Sequence, residues 1–331
     1  MTCAEVLSAA SHARILVVGD ICLDRWCHYD PSLSEASRET GIPRCAVVST
    51  SVSPGGGGTV AVNLVALGAK RVSVLGVAGK DGYGHELRQA LSVGGVENDL
   101  LIADESVTTF TYTKLINVAT GVEDLPRVDF VNTGLLLASV EEQVVQCFRS
   151  AIGAFDAVVV SDQAETEYGG VVTRNVRSAL AEGARSDRSR AFVADSRKRV
   201  EHFRHMIATP NESEANEACR RAFGSVDYRQ LHRMIGGPAL VVTMGGAGAW
   251  LLDGDAPRLF EPCPGAEPVD TCGAGDSLSA GLALALAVGA DVESALRFGI
   301  IVAGVTIGKP GTGSATPSEV LTMAEPTGAR G

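Results

Sequence analysis

The segment 270–276, Asp-Thr-Cys-Gly-Ala-Gly-Asp, places a carboxylate among small residues at the start of a predicted helix. The two glycines leave the backbone N–H groups of Gly273, Ala274 and Gly275 uncovered, and these groups, together with the helix dipole, attract a developing negative charge. Asp276 is then available to take a proton from a hydroxyl group. The combination is typical of phosphoryl transfer, although Gly-Ala-Gly before a helix also occurs as a tight turn without chemistry.

A second glycine-rich loop, Pro54-Gly-Gly-Gly-Gly-Thr59, runs into a helical pattern that ends near residue 67. Its exposed N–H groups, including those of Gly56 and Gly57, suit hydroxyl groups or an anion, and a flexible glycine run without a function is the alternative. No Gly-Lys-Ser or Gly-Lys-Thr follows, so the loop is not a Walker A loop. The third glycine of a dinucleotide fingerprint is also missing, which disfavours a nicotinamide-dependent oxidoreductase.

Continuous apolar, β-branched runs alternate with helical patterns along the chain. The runs are 14–20, 72–77, 157–161, 191–194 and 239–243, and the helical patterns are 59–67, 84–91, 140–152 and 277–288. This alternation predicts a three-layer α/β fold with a mostly parallel central sheet, which binds ligands at the carboxyl ends of its strands. Two further stretches, about 26–53 and 108–130, resemble antiparallel ribbons and predict a small β-sheet lid, with surface hairpins as the alternative.

Several charged residues lie where these elements would bring them to a ligand. Asp20, Asp24 and Asp162 follow predicted strands, where a carboxylate accepts hydrogen bonds from sugar hydroxyls or simply caps a turn. Lys114 and Arg127 fall in or beside the predicted lid and are candidates for binding a phosphate that the substrate already carries, because arginine grips phosphate with two parallel bonds. Solvated surface charges are the alternative for both cations.

The composition narrows the class of protein. With 331 residues, of which 45% are hydrophobic and 20% charged, the chain can form one large α/β domain over residues 1–331. A net charge of -11 without a dense basic block argues against a nucleic-acid partner. The eight cysteines show no regular pairing, and no signal peptide or membrane-length apolar run is present, so we expect a cytoplasmic protein without a membrane partner.

Five motifs, in order and over almost the whole chain, resemble those of the ribokinase-type (PfkB) carbohydrate kinases. These motifs lie at residues 18–24, 55–58, 210–214, 243–248 and 270–276. Within that family the chain is most similar to the D-glycero-β-D-manno-heptose-7-phosphate kinase module of ADP-heptose synthesis. The matching pieces are residues 19–25, 113–115, 127–130, 160–162 and 308–312.

The resemblance implies a ribokinase-like fold and an ATP-dependent sugar kinase, with Asp276 as the base and the amides of residues 273–275 as the anion hole. The implied substrate-binding positions are Asp24, Gly56, Gly57 and Thr59. The implied nucleotide-binding positions are Asn211, Thr243, Gly245, Gly248 and Gly311. Glu214 is implied to lie near Mg²⁺, a cation that prefers oxygen ligands, and Asp270 near a monovalent cation such as K⁺.

Two positions depart from the family's pattern. Many relatives carry an Asn that helps to hold the sugar where this chain has Thr59, and near relatives carry an Asn beside the adenosine where it has Ile300. The sugar and the preferred nucleotide therefore stay open, and a non-catalytic sugar or nucleotide sensor on the same fold is the alternative. The intact motif around Asp276 favours the enzyme, because a sensor needs no base.

Two expectations concern assembly. The heptose-kinase relatives carry a second, nucleotidyl-transferring module, which residues after 316 do not match, so the resemblance implies a free-standing kinase. A β-sheet lid also has exposed strand edges, which a partner lid often covers, so we expect a homodimer through the lid.

Overall fold

The computed structural model describes residues 1–166, 168–254, 256–264 and 267–325, so the predicted domain's last residues, 326–331, lie outside it. Its strands are β1 Arg14–Gly19, β2 Ile21–Tyr29, β3 Val47–Gly56, β4 Arg71–Gly79, β5 Leu101–Asp104, β6 Thr111–Asn117, β7 Val128–Phe130, β8 Ala157–Asp162, β9 Ala191–Ser196, β10 Ile207–Ala208, β11 Leu240–Thr243, β12 Ala249–Leu252 and β13 Arg258–Phe260. Its helices are α1 Cys3–Ala9, α2 Gly57–Ala66, α3 Gly82–Val93, α4 Ala138–Ala151, α5 Arg174–Ser186, α6 Glu212–Phe223, α7 Tyr228–Ile235, α8 Ala274–Ala287, α9 Val292–Ile307 and α10 Pro317–Ala324.

Over the described ranges, the main sheet has nine strands in the order β13-β12-β11-β10-β9-β8-β1-β4-β5. Neighbouring strands are parallel except for the β11–β12 and β12–β13 pairs. Alternate residues of β1 face opposite sides: Ile15 and Val17 pack with α2, α8 and α9, whereas Leu16 and Val18 pack with α4 and α5. Strands buried on both faces explain the continuous apolar runs, and the predicted three-layer α/β fold with a mostly parallel sheet is confirmed.

The small sheet consists of β3, β2, β6 and β7, in that order. It begins earlier in the sequence than predicted. Strand β1 ends at Gly19 and β2 starts at Ile21, so only Asp20 lies between the two strands. Gly19 permits this sharp change of direction: its φ is 135°, and a Cβ atom there would lie 2.1 Å from the carbonyl oxygen of Ser161. Asp24 is therefore part of the small sheet itself.

The register of the small sheet places its polar residues on one face. Asp24 and Trp26 of β2 lie opposite Tyr112 and Lys114 of the parallel strand β6. Side chains two residues apart in a strand share a face, so all four point to the same side, and Arg127 directly precedes the next strand, β7. Among the described residues, no helix is both apolar and long enough to cross a bilayer.

Candidate active site

Two neighbouring clefts lie at the carboxyl end of the main sheet. The first, here called the polar cleft, is lined by Asp24, Arg25, Trp26, Gly56, Thr59, Tyr112, Lys114, Arg127, Gln163, Arg197, Cys272, Gly273, Asp276 and Thr312. The second, here called the apolar cleft, is lined by Thr243, Gly245, Gly246, Gly248, Ala249, Pro262, Cys263, Pro268, Thr271, Ala274, Gly275, Leu278, Ile300, Ala303, Gly304 and Ile307. The position of both clefts agrees with the rule that open α/β sheets bind ligands beyond the carboxyl ends of their strands.

The start of helix α8 separates the two clefts. Gly273 and Asp276 face the polar cleft, whereas Ala274 and Gly275 face the apolar cleft. Residues that are consecutive in sequence thus contact both cavities. This helix start, where the positive end of the helix dipole lies, is therefore close to both clefts.

The backbone at the start of α8 is arranged for an anion. Gly273 is the N-cap residue with φ 77°, a left-handed conformation that favours glycine, and no side chain among the described residues caps the helix. The amides of Gly275 and Asp276 therefore stay available, since the first N–H groups of a helix have no partner within it. The amide of Ala274 instead donates a hydrogen bond to the carbonyl oxygen of Thr271 at 3.3 Å.

Carboxylates crowd this part of the structure. Burial and the charge of Asp195 raise the pKa of Asp276 well above its ordinary value, and Asp24 and Glu214 add to the rise, while Arg197 opposes it. Burial raises the pKa of Asp24 to about 6. Burial and the charge of Asp195 raise the pKa of Glu214 to about 7. The site thus holds several carboxylates whose ionisation is costly until a cation or a hydrogen-bond donor arrives.

We expect the free protein to lose stability as the pH rises through this range. The pKa of Asp24 is about 6 in the folded protein and roughly 3.9 in an unfolded chain. Because the folded-state value is the higher one, its stabilising contribution is complete below roughly pH 4 and is lost above roughly pH 6. Melting temperatures between roughly pH 4.5 and 8 should fall less steeply for Asp24→Asn; parallel curves would contradict the assignment.

Three cations face the polar cleft. Lys114 has no hydrogen-bond or ion-pair partner within the described part of the chain. Arg127 donates to Asp129 Oδ2 through Nε at 3.0 Å and Nη2 at 2.7 Å, and its guanidinium lies 5.2 Å from the centre of the Tyr112 ring. Arg197 lines the same cleft from the end of β9. In a chain of net charge -11, this grouping provides the local positive potential that an anionic ligand needs.

Gln163 and Arg197 were not predicted from the sequence. They directly follow the neighbouring strands β8 and β9, whose ends are in register at Asp162 and Ser196. The rule that ligands bind at the carboxyl ends of parallel strands was the available signal for both. Trp26 and Tyr112 were also not predicted as cleft residues. Each lies two residues from a predicted one, Asp24 or Lys114, in the same strand, and this spacing places them on the same face of the small sheet.

The structure does not bring two of the candidate carboxylates to the polar cleft. Asp162 is buried and forms an ion pair with Arg199, and it accepts a hydrogen bond from Ser196 Oγ at 2.6 Å. Asp20 is buried and accepts hydrogen bonds from the amides of Gln163 at 2.8 Å, Ala164 at 3.1 Å and Val171 at 2.7 Å. Both carboxylates hold loops in place, which is the structural alternative raised for each of them.

Replacing Asp162 with Asn is expected to destabilise the protein, because it removes the negative charge from a largely buried ion pair with Arg199. The expected loss is about 3 kcal/mol of unfolding free energy, measured by urea unfolding. The exposed Asp99→Asn is the control. Unchanged stability together with weaker binding of the acceptor would support a ligand contact by Asp162 instead.

Of the remaining predicted residues, some lie beside the apolar cleft and others beside the polar cleft. Asn211 and Glu214 form a reciprocal cap at the start of α6, with N–O distances of 2.8 and 3.0 Å, and Asn211 pairs with Thr243 at the edge of the apolar cleft. The hydroxyl of Thr59 donates to the carbonyl oxygen of Pro54 at 3.1 Å. Gly57 is buried behind the polar cleft.

Gly311 and Asp270 line neither cleft. The amide of Gly311 donates to one carboxylate oxygen of Asp270 at 3.1 Å, and the amide of Cys272 donates to the other at 2.9 Å. Gly311 also packs near the indole of Trp26, on the side of the polar cleft. Asp270 therefore connects its own loop to the loop that contains Gly311 through hydrogen bonds. Its proposed contact with a monovalent cation stays a prediction.

Comparison with known proteins identifies similar sequences. The model of the pfkB family of carbohydrate kinases matches residues 12–319. The chain is 31% identical over 319 residues to the bifunctional protein HldE of Nitrobacter hamburgensis, and the match covers 95% of this chain and 64% of the relative. It is 33% identical over 322 residues to the protein of the same name from Methylococcus capsulatus, with the same coverage. The chain thus spans about 64% of the length of these relatives.

Solved structures share the fold. Phosphofructokinase-2 from Escherichia coli in complex with potassium superposes with a TM-score of 0.72 at 20% identity, covering 94% of this chain and 98% of the other. Arabidopsis thaliana ribokinase complexed with ribose and ATP superposes with a TM-score of 0.68 at 18% identity, covering 95% and 99% of the two chains. These neighbours confirm the predicted ribokinase-like fold.

Proposed function

The chain belongs to the pfkB family of carbohydrate kinases, and on that premise we propose that it transfers the γ-phosphoryl group of ATP to a hydroxyl of a sugar phosphate, with Asp276 as the base. The observation that carries the proposal is the start of α8, which contacts the polar and the apolar cleft at once. ATP occupies the apolar cleft, the acceptor occupies the polar cleft, and the phosphoryl group passes between them.

The transfer step needs few protein groups. The acceptor hydroxyl lies between Asp24 and Asp276 and attacks the γ-phosphorus. A new P–O bond forms to the acceptor, the bond between the γ-phosphorus and the bridging oxygen breaks, and ADP leaves with that electron pair. The hydroxyl proton goes to the Asp276 carboxylate, whose raised pKa makes it a more effective base.

The amides at the start of α8 stabilise the charge of the phosphoryl group as it moves. Gly275 and Asp276 supply uncapped N–H groups at the positive end of the helix dipole. The small sheet covers the polar cleft with Asp24 and Tyr112, and it limits the access of water, which is a rival acceptor.

The carboxylates fit the Mg²⁺ that accompanies ATP in this family. Glu214 has a pKa raised to about 7, chiefly by burial, so a nearby cation would relieve an unfavourable charge. Mg²⁺ is commonly held by one or two carboxylates plus substrate phosphates, and when bound it would neutralise charge on the phosphates. We propose Glu214 as its protein ligand. Among the described residues no group of three or more acidic, His or Cys side chains could hold a metal alone, which agrees with a cation bound mainly through phosphates.

A phosphate on the acceptor is supported by Lys114 and Arg127. Both line the polar cleft on the face of the small sheet that carries Asp24, and Lys114 is unpaired within the described chain. A second phosphate on the acceptor would pair with these cations. Heptose 7-phosphate is the first candidate, because the motifs resemble the heptose-7-phosphate kinase module.

The proposed function is tested by measuring ADP release with ATP, Mg²⁺ and a panel of free and phosphorylated sugars that includes heptose 7-phosphate. We expect acceptor-dependent release with a phosphorylated sugar and none without an acceptor. Turnover of unphosphorylated sugars alone would contradict the role of the two cations. The absence of turnover with every acceptor, together with binding of ATP, would favour a sensor.

We also propose that a second copy of the chain covers the edge of the small sheet. The edge strand β3 is exposed from Val47 to Val52, and its backbone groups on that side have no strand partner among the described residues. Unpaired, apolar strand edges promote association. Sedimentation should give a mass of twice 34.3 kDa; a monomer at micromolar concentration would contradict the proposal.

A further inference from the structure

Arg197 lies in the polar cleft although no motif pointed to it. It is the first residue after β9, and its amide donates to the carbonyl oxygen of Asp162 at 3.0 Å, so the end of the neighbouring strand fixes its backbone. Its side chain lines the same cavity as Gly273 and Asp276. The guanidinium is therefore placed beside the start of α8, where the phosphoryl group passes in the proposed reaction.

The guanidinium is held by two of its three nitrogens. Nε donates to Gln163 Oε1 at 2.7 Å, and Nη1 donates to Glu165 Oε1 at 2.9 Å. No partner of Nη2 is found in the described part of the chain, and 45% of the side chain is exposed to the cleft and solvent. An arginine with a fixed plane and one free nitrogen is ready to bind a further anion.

The charges around Asp276 create a need for such a cation. Asp24, Asp195 and Glu214 all act on the Asp276 carboxylate as like charges, and Arg197 is the cation that acts against them. Lys114 and Arg127 act, together with Arg197, on Asp24. A phosphoryl group that approaches Asp276 enters the field of these carboxylates, and the helix dipole supplies only about half a positive charge.

We propose that Arg197 is a further catalytic residue, whose free guanidinium nitrogen binds the phosphoryl group as it passes to the acceptor hydroxyl. The inference rests on the proposed kinase function. Arg197 neither gives nor takes a proton in this step, since guanidinium stays protonated and the hydroxyl proton goes to Asp276. It stabilises the charge on the phosphoryl oxygens, a role that arginine fills in other phosphoryl transfers.

A purely structural role for Arg197 predicts different behaviour. If the arginine only anchors the loop through Gln163 and Glu165, removing Glu165 should harm the enzyme about as much as removing Arg197. If the free nitrogen binds the phosphoryl group, Glu165→Gln should lower kcat far less than Arg197→Ala, because the glutamine oxygen can still accept a hydrogen bond from Nη1 and Arg197 remains in the cleft. The two roles are therefore separable by a pair of substitutions.

The test compares Arg197→Ala with Glu165→Gln and with the exposed control Arg229→Ala, using the best acceptor of the wild-type protein. We expect Arg197→Ala to lower kcat at least about 100-fold, as for other donors that act on a transition state, while the KM for ATP changes much less. Added guanidinium ion at millimolar concentration should restore part of kcat in Arg197→Ala alone, an effect that an anchoring role does not predict.

The outcomes separate this inference from the proposed function. A wild-type enzyme that is active, with Arg197→Ala retaining kcat within about threefold, overturns the inference and leaves the kinase intact. Wild-type protein that turns over no acceptor overturns both. If Arg197→Ala unfolds, Arg197→Lys keeps the charge but loses the planar geometry. A lower kcat at an unchanged melting temperature then supports the proposal, and an unchanged kcat contradicts it.

Discussion

Replacing Asp276 with Asn is expected to slow acceptor-dependent ADP formation at least about 100-fold, because general-base catalysis contributes that much or more. Asn has nearly the same shape but cannot accept the hydroxyl proton at neutral pH. Binding of ATP should change little, since the apolar cleft is lined by Ala274 and Gly275 and not by Asp276. The decisive measurement is kcat with a saturating acceptor.

The same substitution should stabilise the free protein at neutral and alkaline pH. The pKa of Asp276 is raised well above its ordinary value, so ionising this carboxylate in the folded state costs free energy. The sign follows from linkage: stability is fully present below the unfolded-state pKa of roughly 3.9 and is lost as the pH rises through the higher folded-state value. Asn cannot ionise, so the melting temperature should rise at roughly pH 8 and change little near pH 4.

A loss of activity with a gain in stability cannot result from unfolding, which makes this pair of measurements informative. Asp99→Asn is the matched control, because Asp99 is exposed. Activity of Asp276→Asn within about tenfold of the wild type would show that another group accepts the proton.

The main sheet could be predicted because its strands are buried on both faces. Such strands give unbroken apolar runs in the sequence, and each predicted run coincides with a strand of the structure to within one residue at its ends, apart from strand residues that the run did not include. The start of the small sheet was placed at about residue 26 and lies at Ile21. The turn between β1 and β2 depends on close approach of Gly19 to the carbonyl of Ser161, and that contact joins segments far apart in sequence.

The geometry of the candidate site could be predicted where one motif carries several of its groups. Asp276 and its neighbouring amides belong to one helix start, so their mutual geometry is local. Asp162 and Arg197 show the opposite case. A carboxylate after a strand looks the same in sequence whether it meets a ligand or, like Asp162, an arginine 37 residues away. Arg197 faces the cleft only because β8 and β9 are neighbours.

Replacing Lys114 and Arg127 together with Met is expected to raise the KM for a phosphorylated acceptor by about 100-fold or more, because a hydrogen bond to a charged group contributes roughly 1.5–3 kcal/mol. Met keeps much of the length of both side chains and removes their charge. The kcat at saturating acceptor should fall far less, since the largest charge effects on Asp276 come from Asp195, Arg197, Asp24 and Glu214 and not from these two cations. The expected signature is therefore a change in KM.

The specificity of this effect is tested with the same sugar without its phosphate. If the two cations bind the acceptor's phosphate, the double variant should have nearly the same kcat/KM for the unphosphorylated sugar as the wild type. Its kcat/KM for the phosphorylated acceptor, divided by that for the unphosphorylated sugar, should therefore fall. Lys70→Met with Arg229→Met is the matched control, because both residues are exposed and neither lines the polar cleft.

Arg127 also pairs with Asp129, so its loss leaves that carboxylate without its partner. The pair is partly exposed, and such pairs contribute little to stability, so the double variant should stay folded. A KM that rises equally for phosphorylated and unphosphorylated acceptors would show that Lys114 and Arg127 shape the cleft, or hold Asp24, without contacting a phosphate. The ratio of kcat/KM for the phosphorylated acceptor to kcat/KM for the unphosphorylated sugar thus shows whether the two cations bind a phosphate on the acceptor.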